Sequence, residues 1–340
     1  MIRIARPAAV LLSLVVLTPA LHAQDADTAS IATEALPLEP GRSLEFTASE
    51  GTWMSLDVSP DGSTIAFDLL GDLYTMPIGG GRATRITEGM AVDVQPRFSP
   101  DGQKLVFVSD RSGREQVWTL DLATGDTTEV TSGRGADVYS PEWAPDGEYL
   151  VVPKTGQQGG LYLIHTDGGS GVRMVEAEGG IFMNGPAFGA DDRYLWYAQR
   201  QGRHAYNNIF PIYQVMRYDR DTGLSQAMTS RVGSAIRPAL SPDGRWLTYG
   251  SRSDGETGLR IRDLTTGDER WLAYPIQRDD QESVAPMDAL PGYSFTPDSR
   301  AVILAFGGRL WRVPVDGSGQ TEIPFQADVD LDLGPRLDFD

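Results

Sequence analysis

The sequence predicts an all-β fold, a β-propeller of six four-stranded blades. Three observations carry that expectation: a turn motif that occurs six times, four strand signals in most repeats, and strands apolar at every position. The turns are Ser59-Pro60-Asp61-Gly62, Ser99-Pro100-Asp101-Gly102, Ala144-Pro145-Asp146-Gly147, Gly189-Ala190-Asp191-Asp192, Ser241-Pro242-Asp243-Gly244 and Thr296-Pro297-Asp298-Ser299. From start to start they lie 40, 45, 45, 52 and 55 residues apart. A period in that range, with several strands per unit, marks a propeller.

Each element follows in order. Arg3 and Arg6 precede an apolar run from Ala8 to Leu17, and Ala20-Leu21-His22-Ala23 supplies small residues for cleavage. Residues 1–23 therefore read as a secretory signal peptide, too short for a membrane span. No later stretch is apolar enough to span, so no membrane insertion is expected, and the mature chain is placed in the periplasm or outside the cell. Residues 24–42 read as a flexible lead-in rich in Asp, Ala, Thr, Pro and Glu. The propeller is assigned to 43–340, with Leu44–Thr47 as an extra strand that could help close the ring.

Within a repeat the turn chemistry is explicit. Proline presets φ at the first corner, Asp accepts nearby backbone N–H groups, and Gly takes the left-handed conformation that follows. Because these aspartates recur in every unit, they read as turn residues rather than metal ligands. The second unit carries strands at Gln95–Phe98, Lys104–Val108, Gln116–Leu120 and Thr127–Thr131. The fifth repeats the plan at Arg237–Leu240, Trp246–Tyr249, Gly258–Arg262 and Glu269–Leu272. Val302–Phe306 is apolar throughout, as a strand covered on both faces should be. The seven tryptophans fall on or beside strands and read as blade-packing residues. Ala327–Phe339 alternates and predicts one further strand. Whether six units close a ring without more repeats is left open.

Composition narrows the partners. Without Arg3 and Arg6, the 29 basic residues become 27 against 47 acidic ones, a net charge of −20. Phosphate binding needs a basic surface, so nucleic acid is not an expected partner. The chain has no cysteine, which excludes a disulfide-stapled scaffold and any thiol nucleophile. The roughly 300 residues of the mature chain suffice for a large β core instead.

Chemistry is hard to find. His165 and His204 are the only histidines after residue 23, and they are 39 residues apart, so no His-x-His or His-Glu-x-x-His exists. There is no Gly-x-Ser-x-Gly, and Gly79-Gly80-Gly81-Arg82 lacks the remainder of a phosphate loop. No catalytic residue, metal ligand or cofactor is assigned. Two insertions stand out: Gln199–Gln214 and Ala273–Pro291. Strand alternation puts both at the end of the disc opposite the repeated turns, where a rigid scaffold presents its loops. The candidate binding residues are Arg203, His204, Tyr206, Asn207, Phe210 and Tyr213 in the first, beside Asn208. In the second they are Arg278, Asp279, Gln281 and Glu282, beside Asp280. Aromatics next to hydrogen-bonding groups suit a protein or peptide partner.

The segment Glu50-Gly51-Thr52-Trp53-Met54-Ser55-Leu56-Asp57-Val58-Ser59-Pro60-Asp61-Gly62, followed by Ile65–Tyr74, carries a resemblance. It resembles the opening of exported bacterial amidohydrolases that place a TolB-like (WD40-like, PD40) propeller ahead of a metal-dependent hydrolase domain. The likeness continues through Gln95–Gly102, Arg278–Glu282 and Phe295–Ser299, ending at Ile323-Pro324-Phe325. The resemblance implies a propeller fold and a relation to hydrolases of peptide-like C–N bonds. The histidines, aspartate and modified lysine that such a metal site needs have no counterpart in this sequence. Two functions are therefore expected. The first is a non-catalytic protein- or peptide-binding scaffold. The second is a substrate-gating part of a truncated or split amidohydrolase, with the hydrolase domain separate or missing.

Overall fold

The computed structural model describes residues 40–133, 136–285, 287–334 and Arg336. The expected signal peptide, most of the lead-in and the last four residues lie outside the described residues. β1 (Arg42–Ala48) precedes six blades, each of four antiparallel strands. Blade 1 is β2 (Leu56–Val58), β3 (Thr64–Leu69), β4 (Asp72–Pro77) and β5 (Gly81–Arg85). Blade 2 is β6 (Asp93–Phe98), β7 (Lys104–Ser109), β8 (Gln116–Asp121) and β9 (Thr127–Glu129). Blade 3 is β10 (Glu142–Trp143), β11 (Tyr149–Lys154), β12 (Gly160–His165) and β13 (Val172–Glu176). Blade 4 is β14 (Met183–Phe188), β15 (Tyr194–Arg200), β16 (Tyr213–Asp219) and β17 (Leu224–Ala227). Blade 5 is β18 (Ile236–Leu240), β19 (Trp246–Ser253), β20 (Glu256–Asp263) and β21 (Glu269–Ala273). Blade 6 is β22 (Ser294–Phe295), β23 (Ala301–Phe306), β24 (Arg309–Pro314) and β25 (Thr321–Ile323), and β26 (Phe325–Leu333) follows it. Among the described residues the only helical turn is a 3-10 turn at Glu178–Gly180.

The recurring turns form as their sequence dictates. In blade 1 the Gly62 N–H donates to the Ser59 carbonyl at 2.8 Å, and Gly62 sits at φ +74°. Asp61 Oδ1 accepts from Ser59 Oγ at 2.6 Å and from the Ser63 N–H at 2.9 Å. The same pair of bonds recurs at Asp101, Asp243 and Asp298, with Thr296 replacing serine in the last. Blade 6 has Ser299 at the glycine position, held at φ +59°.

These turns also show how the ring closes. A Cβ on Gly102 would meet Pro60 Cδ at 3.4 Å, and one on Gly147 would meet Pro100 Cδ at 3.8 Å. In both pairs the proline of one turn lies against the glycine of the next blade's turn. At the seam between blades 6 and 1 the contact repeats, Pro297 Cδ lying 3.3 Å from the position of a Gly62 Cβ. The Leu56 N–H donates to the Gly292 carbonyl at 3.0 Å, and Ile303, Leu310 and Ile323 share one apolar cluster with Leu56, Phe67 and Tyr74. The six blades predicted from the repeats close without further ones, which answers the point the sequence left open.

The terminal strands are used differently from the expectation. β1 pairs antiparallel with β26 from Arg42↔Leu333 to Ala48↔Ala327, and β26 lies parallel to β5 from Phe325↔Gly81 to Ala327↔Ala83. Both therefore sit on the outer edge of blade 1 and complete no other blade. The last strand begins at Phe325 and alternates with period two, Phe325, Ala327 and Val329 buried and the residues between them exposed. Gly80 allows the crossing: a Cβ there would fall 2.3 Å from the Pro324 carbonyl oxygen.

Candidate functional site

The innermost strands shape a central channel. Four residues before each turn motif stand Ser55, Gln95, Ser140, Gly185, Arg237 and Gly292, one per blade. In blades 2 to 5 this residue precedes a proline and has positive φ: 59° at Gln95, 46° at Ser140, 55° at Gly185 and 48° at Arg237. Proline has no N–H for the ladder, and in blades 2, 4 and 5 the register slips there in a β-bulge. The bulged residues meet at the channel mouth. The Ser140 N–H donates to Gln95 Oε1 at 2.7 Å, and Arg237 pairs with Asp288. Ser140 Oγ donates to Asp288 Oδ2 at 2.5 Å, and a Cβ on Gly185 would meet Arg237 Cδ at 3.0 Å.

A second layer lies two residues further along each strand. Asp57, Arg97 and Glu142 form a chain of ion pairs at 3.2 and 2.7 Å, while Ala187, Ala239 and Ser294 stand on the other side. The size difference leaves a cavity of about 80 Å³ between them. Burial pushes the Glu142 carboxyl up, and Arg97 opposes that shift. Behind the mouth, burial pushes Asp68 up to about 7 although it accepts from the Ser55 and Gln95 N–H groups, both at 2.8 Å. This mouth was not singled out in the sequence. The signal was there: an X-Pro pair four residues ahead of the turn in four of six repeats.

The two insertions meet above the mouth. Residues 201–212 link β15 to β16, and 274–293 link β21 to β22. Asn208 Nδ2 donates to the Glu282 carbonyl at 2.9 Å, and Arg200 Nη1 donates to the Gln281 carbonyl at 3.2 Å. Asp288, which closes the channel mouth, belongs to the second insertion.

The candidate residues divide into two groups. Arg203, His204, Tyr206 and Asn207 are exposed at the crest of the first loop, Tyr206 at 99% and the neighbouring Ile209 at 86%. Arg278 and Glu282 are exposed on the second loop. Phe210 is half-buried, with the Arg252 guanidinium 5.1 Å from its ring centre. Asp280 is half-buried and accepts from Ser283 Oγ at 2.6 Å. Three candidates, Tyr213, Asp279 and Gln281, have side chains shut away from solvent. Tyr213 lies on β16 with no exposed surface, and Gln281 is equally enclosed. Asp279 accepts from Arg252 Nη2 at 2.5 Å and from Thr257 Oγ1, which anchors the loop to blade 5. His204 and the second loop's carboxylates show no ion pair or hydrogen bond with each other.

Arg203 also lines a cavity of about 520 Å³ between blades 3 and 4, with Tyr139, Lys154, Glu176 and Phe182. Among the described residues no group of three or more His, Cys, Asp or Glu side chains is placed to hold a metal ion. Nor is any helix among them long and apolar enough to cross a membrane.

Known proteins share this architecture. Dipeptidyl-peptidase 5 of Porphyromonas gingivalis is 32% identical over 138 residues, 35% of this chain and 19% of that protein. A TolB homolog of Chlorobium luteolum is 42% identical over 65 residues, 19% of this chain and 15% of that protein. The match thus spans less than a fifth of the length of each of these curated relatives. The crystal structure of TolB from Acinetobacter baumannii has a TM-score of 0.62 at 20% identity, covering 81% of this chain and 65% of that one, which shows the shared fold. Residues 36–212, more than half of the chain, match the family model described as the TolB beta propeller domain, PD40. The chain belongs to the TolB beta propeller (PD40) family.

Proposed function

We propose that this propeller is a non-catalytic, exported scaffold that binds a protein or peptide partner through the face formed by the two insertions. One observation carries the reading. Large apolar side chains, Tyr206, Ile209, Val232 and Val284, are exposed on connections at the same end of the disc. Clustered exposed apolar groups rimmed by polar ones are the usual mark of an interaction surface. The scaffold beneath is rigid and buried, which suits presentation of loops. Export rests on Arg3, Arg6 and the apolar run that follows them.

The test replaces Gly202–Asn207 with a short Gly-Ser link, leaving Asn208 and its bonds in place. The melting temperature should stay within a few degrees, because altering a surface loop changes closure entropy by only ~0.6 kcal/mol per doubling. Partners recovered from an envelope extract by the unaltered chain should be lost. Equal recovery by both proteins would overturn the reading. A second reading, gating of peptide-like substrates for a hydrolase domain, draws support from the names of two relatives, Dipeptidyl-peptidase 5 and Tricorn protease homolog 1. An associated polypeptide with peptidase or amidase activity, recovered by the same means, would favour it.

A further inference from the structure

A cavity of about 510 Å³ opens between blades 4 and 5, lined by Ser230–Gly233 from one inter-blade connection and Ser251–Gly255 at the β19–β20 turn. Phe210 of the first insertion and Arg260 of β20 complete the lining. Its distinguishing feature is charge. In a chain of net charge −18, three guanidinium groups, those of Arg231, Arg252 and Arg260, surround one space in which Asp254 is the only acidic lining residue.

Each arginine is braced by carboxylates that do not line the cavity. Arg231 and Arg260 pair with Glu269, the latter at 3.3 Å, and Arg252 pairs with Asp279 and Glu282. Glu269 is also bound by Arg262 at 2.7 Å and by the Tyr249 hydroxyl at 2.5 Å. One carboxylate thus serves three guanidiniums while Arg252 has two; the guanidiniums of Arg231, Arg252 and Arg260 line the cavity, and the carboxylates paired with them lie outside its lining. Arg260 stacks over Trp271 at 3.8 Å, and its Nε is shut from solvent with no hydrogen-bond partner. A planar fork fixed in this way loses little freedom when it receives an oxyanion.

We propose that this cavity binds a carboxylate carried by an acidic peptide segment with an apolar neighbour. The proposal rests on the reading of the loop face as a peptide-binding surface, and names the chemistry it selects. Phe210 and Val232, the latter 78% exposed, supply the apolar wall. Asp254 at the cavity opposes a dianion more strongly than a single carboxylate, which favours the latter over phosphate.

Calorimetric titration with a capped peptide of alternating Leu and Glu, against its Leu/Gln counterpart, tests this at low salt. The Glu peptide should bind at least tenfold more tightly. Arg260→Gln and, separately, Val232→Glu should each weaken it about tenfold or more. Val232→Glu adds a repelling carboxylate at an exposed position and leaves the buried ion pairs intact, so it keeps the test independent of folding. Equal affinity for the two peptides, no binding of the Glu peptide, or indifference to Val232→Glu would overturn the proposal. So would inorganic phosphate displacing the peptide at lower concentration than acetate. The 202–207 replacement removes no residue lining this cavity. Partner loss there without peptide binding sinks this inference alone; peptide binding with the partner retained sinks only the loop reading.

Discussion

At Asp288 a loop carboxylate with no exposed surface meets Arg237 and Ser140, and so ties the second insertion to the innermost strands of blades 3 and 5. Removing one member of such a pair leaves the other charge buried without a partner. Asp288→Ala should therefore cost about 3–5 kcal/mol, read from urea unfolding. Arg237→Met combined with Asp288→Leu should recover part of that loss, since neither change then strands a charge. A loss below ~1 kcal/mol for Asp288→Ala would mean the carboxylate is not needed at the mouth. The turn residues make a smaller, separate case. Gly62→Ala puts a Cβ 3.3 Å from Pro297 at φ +74°, and should cost about 1–2 kcal/mol by the same measurement. Turn chemistry was fully legible in the sequence, because Pro, Asp and Gly act within four residues. Asp288 was not, because its partners are 51 and 148 residues away and no local pattern reports them.

Among the elements, β1 and β26 carry the least obvious work. Both were legible as strands, but their pairing was not, because alternation fixes which residues face inward and leaves the neighbour open. The neighbour is the outer edge of blade 1, where β26 covers β5 and β1 covers β26. The result is a clasp that joins the last blade to the first, outside the ring. Phe325 anchors it: 4% exposed, edge-on to Phe67 with ring centres 5.3 Å apart. Phe325→Ala should lose about 3–5 kcal/mol. Amide exchange should locate the damage, with Gly81–Arg85 and Leu44–Ala48 losing protection before blades 3 and 4 do. Uniform loss of protection through all six blades would instead mean the clasp is no separate unit. The two long insertions were legible as loops sharing one face. Their internal division, an exposed crest and a buried base, was not, since Tyr213, Asp279 and Gln281 differ from their exposed neighbours only in tertiary contacts.

For the whole molecule, the repeated turns imply a repeated dependence on pH. Hydrogen bonds from neighbouring side chains and backbone N–H groups hold Asp61, Asp101 and Asp298 below the ordinary value, and Asp243 is lowered by the same bonds against burial. The same direction holds at Asp121, Asp263 and Asp316 in the other turns, and the Arg193 fork takes Asp219 down to about 2. A carboxyl lowered by folding stabilises the native state above its unfolded value near 3.8, and loses that contribution as pH falls through the folded value. Eight such groups act together, so stability should fall steeply between about pH 4 and pH 2. Asp68 works in the opposite sense. Burial raises it to about 7, and burial raises Asp72 to about 7 against the pull of Arg85. These two bind protons more tightly when folded; their contribution is complete below 3.8 and lost as pH rises toward 7. Self-repulsion at net charge −18 adds to the loss at neutral pH. The melting temperature should therefore peak near pH 4 to 5 and decline on both sides, at or just below the lower end of the usual range of about pH 5 to 8. Asp68→Asn should flatten the neutral side of the profile while leaving the acid side steep. A melting temperature that climbs steadily from pH 4 to pH 7 would contradict the assignment of buried, proton-binding carboxyls behind the channel mouth.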